Sequence, residues 1–144
     1  MRQKVTRMFE DSPPLKILLA DDEPDVREVM GRRIAREGYE VVTAFDGQDA
    51  WEKIQAETPD IIILDLTMPR MDGFTVLKNL RERPPADKWQ PVIIVSALGE
   101  LSDMQKGFSL EADHYLTKPC QMEDVLKGIA LMASLIPQRR KEHE

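Results

Sequence analysis

The chain has one cysteine, Cys120, and two histidines, His114 and His143, among 144 residues. A single thiol closes no intrachain disulfide, and with two distant histidines it cannot assemble a Cys/His metal cage. A reducing, cytoplasmic setting is the expectation. No apolar run approaches the ~18 residues of a membrane span, and Met1 to Pro14 lacks the apolar core of a secretory signal. Neither export nor membrane insertion is expected. Positive charge is also in deficit, with 20 Lys and Arg against 26 Asp and Glu and a net charge of -6. Such a chain repels phosphate backbones and anionic lipid unless a local patch reverses the sign, so neither nucleic acid nor membrane is an expected direct partner. The basic tail run Arg139 to Lys141 is followed by Glu142 and Glu144 and reads as a solvated end. There is no internal repeat, low-complexity tract or interdomain linker, and the length suits one core.

What is present is a regular alternation. The apolar runs Leu15 to Ala20, Tyr39 to Ala44, Ile61 to Leu64 and Val92 to Val95, with a weaker fifth at His114 to Thr117, are short and mostly rich in Ile, Leu and Val. This suits strands buried on both faces of a parallel sheet. Between and after them lie segments with apolar groups at helical spacing: Val26, Val29, Met30 and Ile34; Ala50, Trp51 and Ile54; Phe74, Leu77 and Leu80; Leu101, Met104 and Phe108; Met122, Val125, Leu126, Ile129 and Ala133. Pro24 suits a first helical turn, Gly38 a helix end, and Pro84 with Pro85 must stop the third helix. Strands joined through helices run parallel with right-handed crossovers and helices on both faces. The expectation is an α/β fold, a three-layer doubly wound (βα)5 sandwich over residues 15–136, between polar tails at 1–14 and 137–144.

Loops at the carboxyl ends of such strands converge on one crevice. Asp21, Asp22 and Glu23 follow the first run, Asp65 ends the third, Ser96 the fourth, and Lys118 follows the fifth. Carboxylates sharing a crevice repel by about 1 kcal/mol per pair at ~4 Å in water, and by about 4 kcal/mol at an effective dielectric of 20. A hard divalent ion relieves this, and Mg2+ uses one or two carboxylates while leaving positions for phosphate oxygens. Lys118 supplies a charge for a carboxylate or phosphoryl oxygen, and Ser96 a hydroxyl donor. The set suits phosphoryl transfer to a carboxylate, a reaction that depends on positioning and charge neutralisation, with Asp65 as nucleophile. Taken singly, each residue has a plainer reading. The acids after the first run could complement a helix dipole, Asp65 could cap a turn, Ser96 could sit in one, and Lys118 could be a surface charge. Cys120 reads as a small packed side chain, Trp51 as part of a helix face, and the two histidines carry no role.

The segments ILLADDEPDVRE, IIILDLTMPRMDG, PVIIVSALGE and ADHYLTKP resemble the response-regulator receiver of bacterial two-component signalling, over about residues 15 to 136. That resemblance implies a flavodoxin-like strand order 2-1-3-4-5 and a phosphoryl group carried on Asp65. Asp22 would bind Mg2+ directly, Asp21 mainly through water, and the backbone carbonyl of Thr67 would complete the protein ligands with Asp65. Lys118 would hold one phosphoryl oxygen and Ser96 another, Tyr115 would be the aromatic switch, and the Lys118-Pro119 bond would be cis. The phosphodonor would be a sensor histidine kinase or a histidine phosphotransfer protein. A downstream protein would read the face built from the fourth helix, fifth strand and fifth helix, about Leu101 to Leu110, Asp113 to Lys118 and Met122 to Met132. Two positions depart from the family pattern. Glu111 stands where glycine is common, so a left-handed turn there would be strained, and Cys120 replaces a larger apolar residue.

A stand-alone signalling receiver, acting by binding rather than as an enzyme, is the expectation, since the chain ends soon after the fifth helix. A phosphatase with an aspartyl nucleophile commonly carries a second Asp two residues beyond it, where this chain has Thr67. A degenerate docking module would have lost part of the set Asp21, Asp22, Asp65, Ser96 and Lys118.

Overall fold

The computed structural model describes residues 13–97 and 111–136. Strands β1 (Lys16–Ala20), β2 (Glu40–Ala44), β3 (Ile61–Asp65), β4 (Val92–Ala97) and β5 (His114–Lys118) alternate with helices α1 (Pro24–Arg36), α2 (Gly47–Glu57) and α3 (Gly73–Glu82), and α4 (Met122–Ser134) follows β5. The strands pair in parallel in the order β2-β1-β3-β4-β5, as expected. The helical spacing at Leu101, Met104 and Phe108 lies outside the described residues, so α4 is the fifth helical segment of the sequence.

Side chains two apart on a strand share a face, and here each face has its own core. Leu18, Ile62, Leu64 and Ile94 pack with Ala50, Trp51 and Ile54 of α2 and with Phe74, Leu77 and Leu80 of α3. Ile17, Leu19, Ile61, Ile63 and Ile93 pack with Ile34 of α1 and with Val125, Ile129 and Met132 of α4. β3 lies mid-sheet with every residue buried, which is why it reads as an unbroken apolar run; the edge strands β2 and β5 are partly exposed and read more weakly.

The punctuation behaves as its chemistry demands. Pro24 begins α1, Gly38 follows its end with a φ of 103°, and α3 stops at Glu82 before the proline pair. Asp46 and Asp72 cap α2 and α3 by accepting the N–H groups of Asp49 at 2.7 Å and Thr75 at 2.8 Å. Glu111, standing where the family commonly has glycine, does adopt the left-handed conformation, with φ 65°, and Arg81 holds it. Arg81 Nε and Nη2 donate to the Glu111 carbonyl at 3.2 and 3.0 Å, Nη1 donates to the Gln90 carbonyl at 3.0 Å, and Nη2 also reaches Asp113 Oδ2 at 2.8 Å. The Lys118-Pro119 bond is cis, as the resemblance implies.

Because β3 lies mid-sheet and is packed from both sides, its core residues weigh heavily in the stability of the sheet. Ile63→Ala is expected to cost about 2–5 kcal/mol, and Ile63→Val about 0.5–1.5 kcal/mol. Urea unfolding followed by circular dichroism measures both, and equal midpoints for Ile63→Ala and the native chain would contradict the packing described.

Candidate functional site

The alternation that builds the two cores also decides where each polar group leaves the sheet. Asp21 continues the series Ile17, Leu19; Asp65 continues Ile61, Ile63; and Lys118 follows Leu116, all on the face that α1 and α4 cover. Asp21 stays tied to the ladder, since its N–H donates to the Ala44 carbonyl at 3.1 Å. Ser96 follows Val92 and Ile94, and pairs with Thr117 two residues after Ile94 pairs with Tyr115. Ser96 and Tyr115 therefore belong to the α2 and α3 side, and Tyr115 packs, half-buried, against that core.

At the carboxyl edge of the sheet, one oxygen from each of Asp21, Asp22 and Asp65 lies within 4.8 Å of the others. Asp21 and Asp65 are buried, and Asp22 is exposed. Lys118 Nζ donates to Asp65 Oδ2 at 2.9 Å and to Asp21 Oδ2 at 3.5 Å, and lies 4.0 Å from Glu23 Oε1. The Thr67 N–H donates to Asp65 Oδ1 at 3.1 Å, which brings that peptide beside the carboxylate. A cavity of about 260 Å³ opens here between Asp22, Glu23, Asp65, Thr67, Ala97 and Lys118. Of the residues singled out from the sequence, Asp21, Asp22, Asp65, Thr67 and Lys118 thus gather at one point. Ser96 is buried at the rim, one residue before Ala97 of the cavity wall.

Three carboxylates against one ammonium leave the cluster with excess negative charge. Burial pushes the Asp65 carboxyl above its ordinary value; the hydrogen bond and charge of Lys118 and the Thr67 N–H pull it back, the charge of Asp21 adds to the rise, and the balance is upward. Burial pulls Lys118 down, but the Asp65 hydrogen bond and the charges of Asp65 and Asp21 outweigh it, so the ammonium is held above the usual lysine value. An all-oxygen anionic donor set of this kind fits a hard divalent ion such as Mg2+, bound through two or three carboxylate oxygens.

Sequence reasoning assigns nothing to Arg27, yet its Nη1 donates to the Asp21 carbonyl at 2.7 Å and braces the acidic loop. A cation in the first turn of a helix, where the dipole disfavours positive charge, is the signal that points to it. A second, larger cavity of about 630 Å³ adjoins the cluster between α1 and α4. Its walls are mostly apolar, including Val26, Val29, Met30, Met122 and Val125, and Asp21, Asp65, Lys118 and Cys120 also line it.

A family profile described as response regulator receiver domain matches residues 17–130. Among curated proteins, the chain is 40% identical over 104 residues to a probable transcriptional regulator, ycf27, of Guillardia theta, covering 72% of this chain and 39% of that protein. It is 37% identical over 133 residues to the DNA-binding dual master transcriptional regulator RpaA of Synechocystis sp., covering 90% of this chain and 54% of that protein. The chain spans about half the length of the curated relatives it matches. Among solved structures, chemotaxis protein CheY4 of Vibrio cholerae superposes with a TM-score of 0.76 at 32% identity, covering 83% of this chain and 98% of that one. The receiver domain of Francisella response regulator 1452 gives 0.74 at 31% identity, covering 82% and 95%.

Two outcomes follow from the electrostatics. A carboxyl whose folded pKa lies above its unfolded value contributes stability below the unfolded pKa and loses it as pH rises through the folded one. At neutral pH the Asp65 charge therefore opposes folding, and Asp65→Asn is expected to melt higher than the native chain at pH 7 in the presence of a chelator. Differential scanning calorimetry checks this; a lower midpoint would mean that the Lys118 pair outweighs the burial and crowding of Asp65. The Cys120 thiol is pushed up, first by burial, with Lys118 pulling the other way. Alkylation by iodoacetamide is expected to be at least about tenfold slower than that of free cysteine at pH 7.5 and to rise only at strongly alkaline pH.

Proposed function

Because the chain belongs to the response-regulator receiver-domain family, we propose that it accepts a phosphoryl group on Asp65 from a phosphohistidine and passes the signal on by switching a protein contact. The observation that carries this reading is the gathering of Asp21, Asp22 and Asp65 around Lys118 Nζ, 2.9 Å from Asp65 Oδ2. In the transfer, an Asp65 oxygen forms the new O–P bond as the P–N bond to the donor imidazole breaks. Bound at Asp21, Asp22, Asp65 and the Thr67 carbonyl, Mg2+ would offset charge on the transferring oxygens.

The chain's own groups do the rest. Lys118 keeps its charge at neutral pH and stands ready to follow a phosphoryl oxygen. The Thr67 N–H holds Asp65 Oδ1 and limits rotation of the carboxylate. Ser96 offers a hydroxyl to a second phosphoryl oxygen, and Tyr115, on the same sheet face, follows that movement. Charge-assisted hydrogen bonds contribute about 1.5–3 kcal/mol each, whereas moving a population from 1:99 to 99:1 takes about 5.5 kcal/mol. The switch therefore sums Lys118, Ser96 and the packing of Tyr115.

The donor, a sensor histidine kinase or histidine phosphotransfer protein, would seat apolar side chains in the groove between α1 and α4, where Val29 is 59% exposed next to the acidic cluster. Output would use β5 and α4 together with the predicted fourth helix; Leu131 of α4 and Leu135 just past its end are exposed. The relatives' names describe transcriptional and DNA-binding regulators, and in this reading any nucleic-acid contact belongs to parts of those proteins beyond the matched region. Thr67 in place of a second Asp supports a phosphoacceptor over a phosphatase. The described helices include none long and apolar enough to cross a membrane.

Acetyl phosphate with Mg2+ is expected to add about 80 Da, one phosphoryl unit, mapped by mass spectrometry to Asp65 and absent in Asp65→Asn. Labelling at another residue would overturn the assignment. Lys118→Met is expected to slow labelling about 100-fold or more. Mg2+ at ten times its Kd is expected to stabilise the native chain by about 1.4 kcal/mol and to leave Asp22→Asn unmoved in a thermal melt.

A further inference from the structure

The loop from Leu66 to Asp72 links the acceptor strand to α3 and carries Thr67. Its two ends are pinned by backbone: Leu66 N–H donates to the Val95 carbonyl at 3.2 Å, and Gly73 N–H donates back to the Leu66 carbonyl at 3.1 Å. Its middle leans on the start of α2 instead. A Cβ placed on Gly47 would fall 1.5 Å from the Met71 carbonyl oxygen, so the loop lies directly on that glycine. Gly47 N–H reaches the Pro69 carbonyl only at 3.5 Å, a weak bond. Arg70 sits in the left-handed region with φ 69°, a conformation that a residue bearing a side chain keeps only where its surroundings hold it.

What holds it is Asp46. The Asp46 side chain is 3% exposed, and its Oδ1 is used in capping α2. Its Oδ2 pairs with Arg70 Nε at 3.0 Å. The carboxylate end of the pair is buried and the guanidinium end is 67% exposed, so the contact fixes where the loop backbone sits while carrying little of the fold's stability. The β2–α2 junction thereby touches both acidic loops of the site. Through the Ala44 carbonyl it holds the Asp21 N–H, and through Asp46 it holds the loop of Thr67.

We propose that Asp46 and Arg70 are positioning residues whose ion pair sets the place of the Thr67 peptide, and through it the Mg2+ affinity and phosphoryl acceptance of Asp65. The inference rests on the phosphoacceptor reading above. A cap alone would need only Oδ1, and a surface arginine alone would have no reason to occupy a left-handed backbone; the two features meet in one contact.

The test uses the full chain in four forms: native, Arg70→Gln, Asp46→Asn (which retains a capping oxygen) and the double variant. Three quantities are read: the Thr67 amide resonance without metal, the Mg2+ Kd by titration, and the rate of labelling by acetyl phosphate. Arg70→Gln is expected to move the Thr67 resonance, to weaken Mg2+ binding by about tenfold and to slow labelling, with the thermal midpoint within about 2 °C of native, as suits loss of a pair whose arginine is largely exposed. Arg70→Lys returns most of the affinity, and the double variant is no worse than the poorer single one, since both remove the same pair. An unmoved Thr67 resonance with native Mg2+ affinity in Arg70→Gln overturns the inference, as does additive loss in the double variant. A native chain that binds Mg2+ but takes no label on Asp65 sinks the phosphoacceptor reading instead, and the resonance and Kd still decide the role of the pair.

Discussion

Asp21, Asp22 and Asp65 are brought together at the edge of the sheet faster than the chain can neutralise them. Lys118 answers Asp65 at 2.9 Å and Asp21 at 3.5 Å, and one ammonium is too little for three acids. Burial, with the Asp21 charge adding to it, raises the proton affinity of Asp65, and the hydrogen bond and charges of Asp65 and Asp21 raise that of Lys118 against its burial. The excess negative charge makes the edge receptive to a doubly charged ion. The proposed chemistry draws on this imbalance. A cluster already balanced in charge would have no call on a metal, and a lysine committed to several strong partners could not follow a transferring phosphoryl oxygen.

Such a cluster survives in a folded chain because the apolar layers beneath it tolerate the strain. β3 is buried from Ile61 to Asp65, so Asp65 is anchored by a strand with neighbours on both sides and helices above and below. The period of two in the strands then sends Asp21, Asp65 and Lys118 toward α1 and α4, and Ser96 and Tyr115 toward α2 and α3. A change at the acidic edge that drew in Ser96 would therefore be felt on the opposite side of the sheet. In the proposed reading the two sides have separate uses: a groove next to the acids where a donor would seat, and a face near β5 where a partner would respond.

The loops are less self-sufficient than the strands. The acidic loop after β1 is braced by Arg27, the entry to β5 by Arg81, and the loop after β3 by Asp46 through Arg70. Each is a charged side chain reaching a backbone or partner held by a different element. The left-handed residues Arg70 and Glu111 occur at two of these places. Glu111 shows how a position that favours glycine accepts another residue: Arg81 takes up its carbonyl with two donors, offsetting the backbone cost.

The five strands and the four described helices, in their chain order, were legible in the sequence, because burial on both faces leaves short apolar runs such as Ile61 to Leu64 between segments of helical spacing, and because Pro24, Gly38 and Pro84 act through their own backbone geometry. Asp21, Asp22, Asp65 and Lys118 were legible as a set for the same reason: strand ends in a parallel sheet share one edge, so residues distant in sequence declare themselves by following the runs. The side of the sheet on which Ser96 and Tyr115 stand, the 2.9 Å contact between Lys118 and Asp65, and the pairing of Asp46 with Arg70 were decided only in three dimensions. Asp46 by itself reads as a helix cap and Arg70 as a surface charge, and no periodicity relates them. Their meeting depends on how closely one loop packs on Gly47, a steric fact that exists only once the chain has folded.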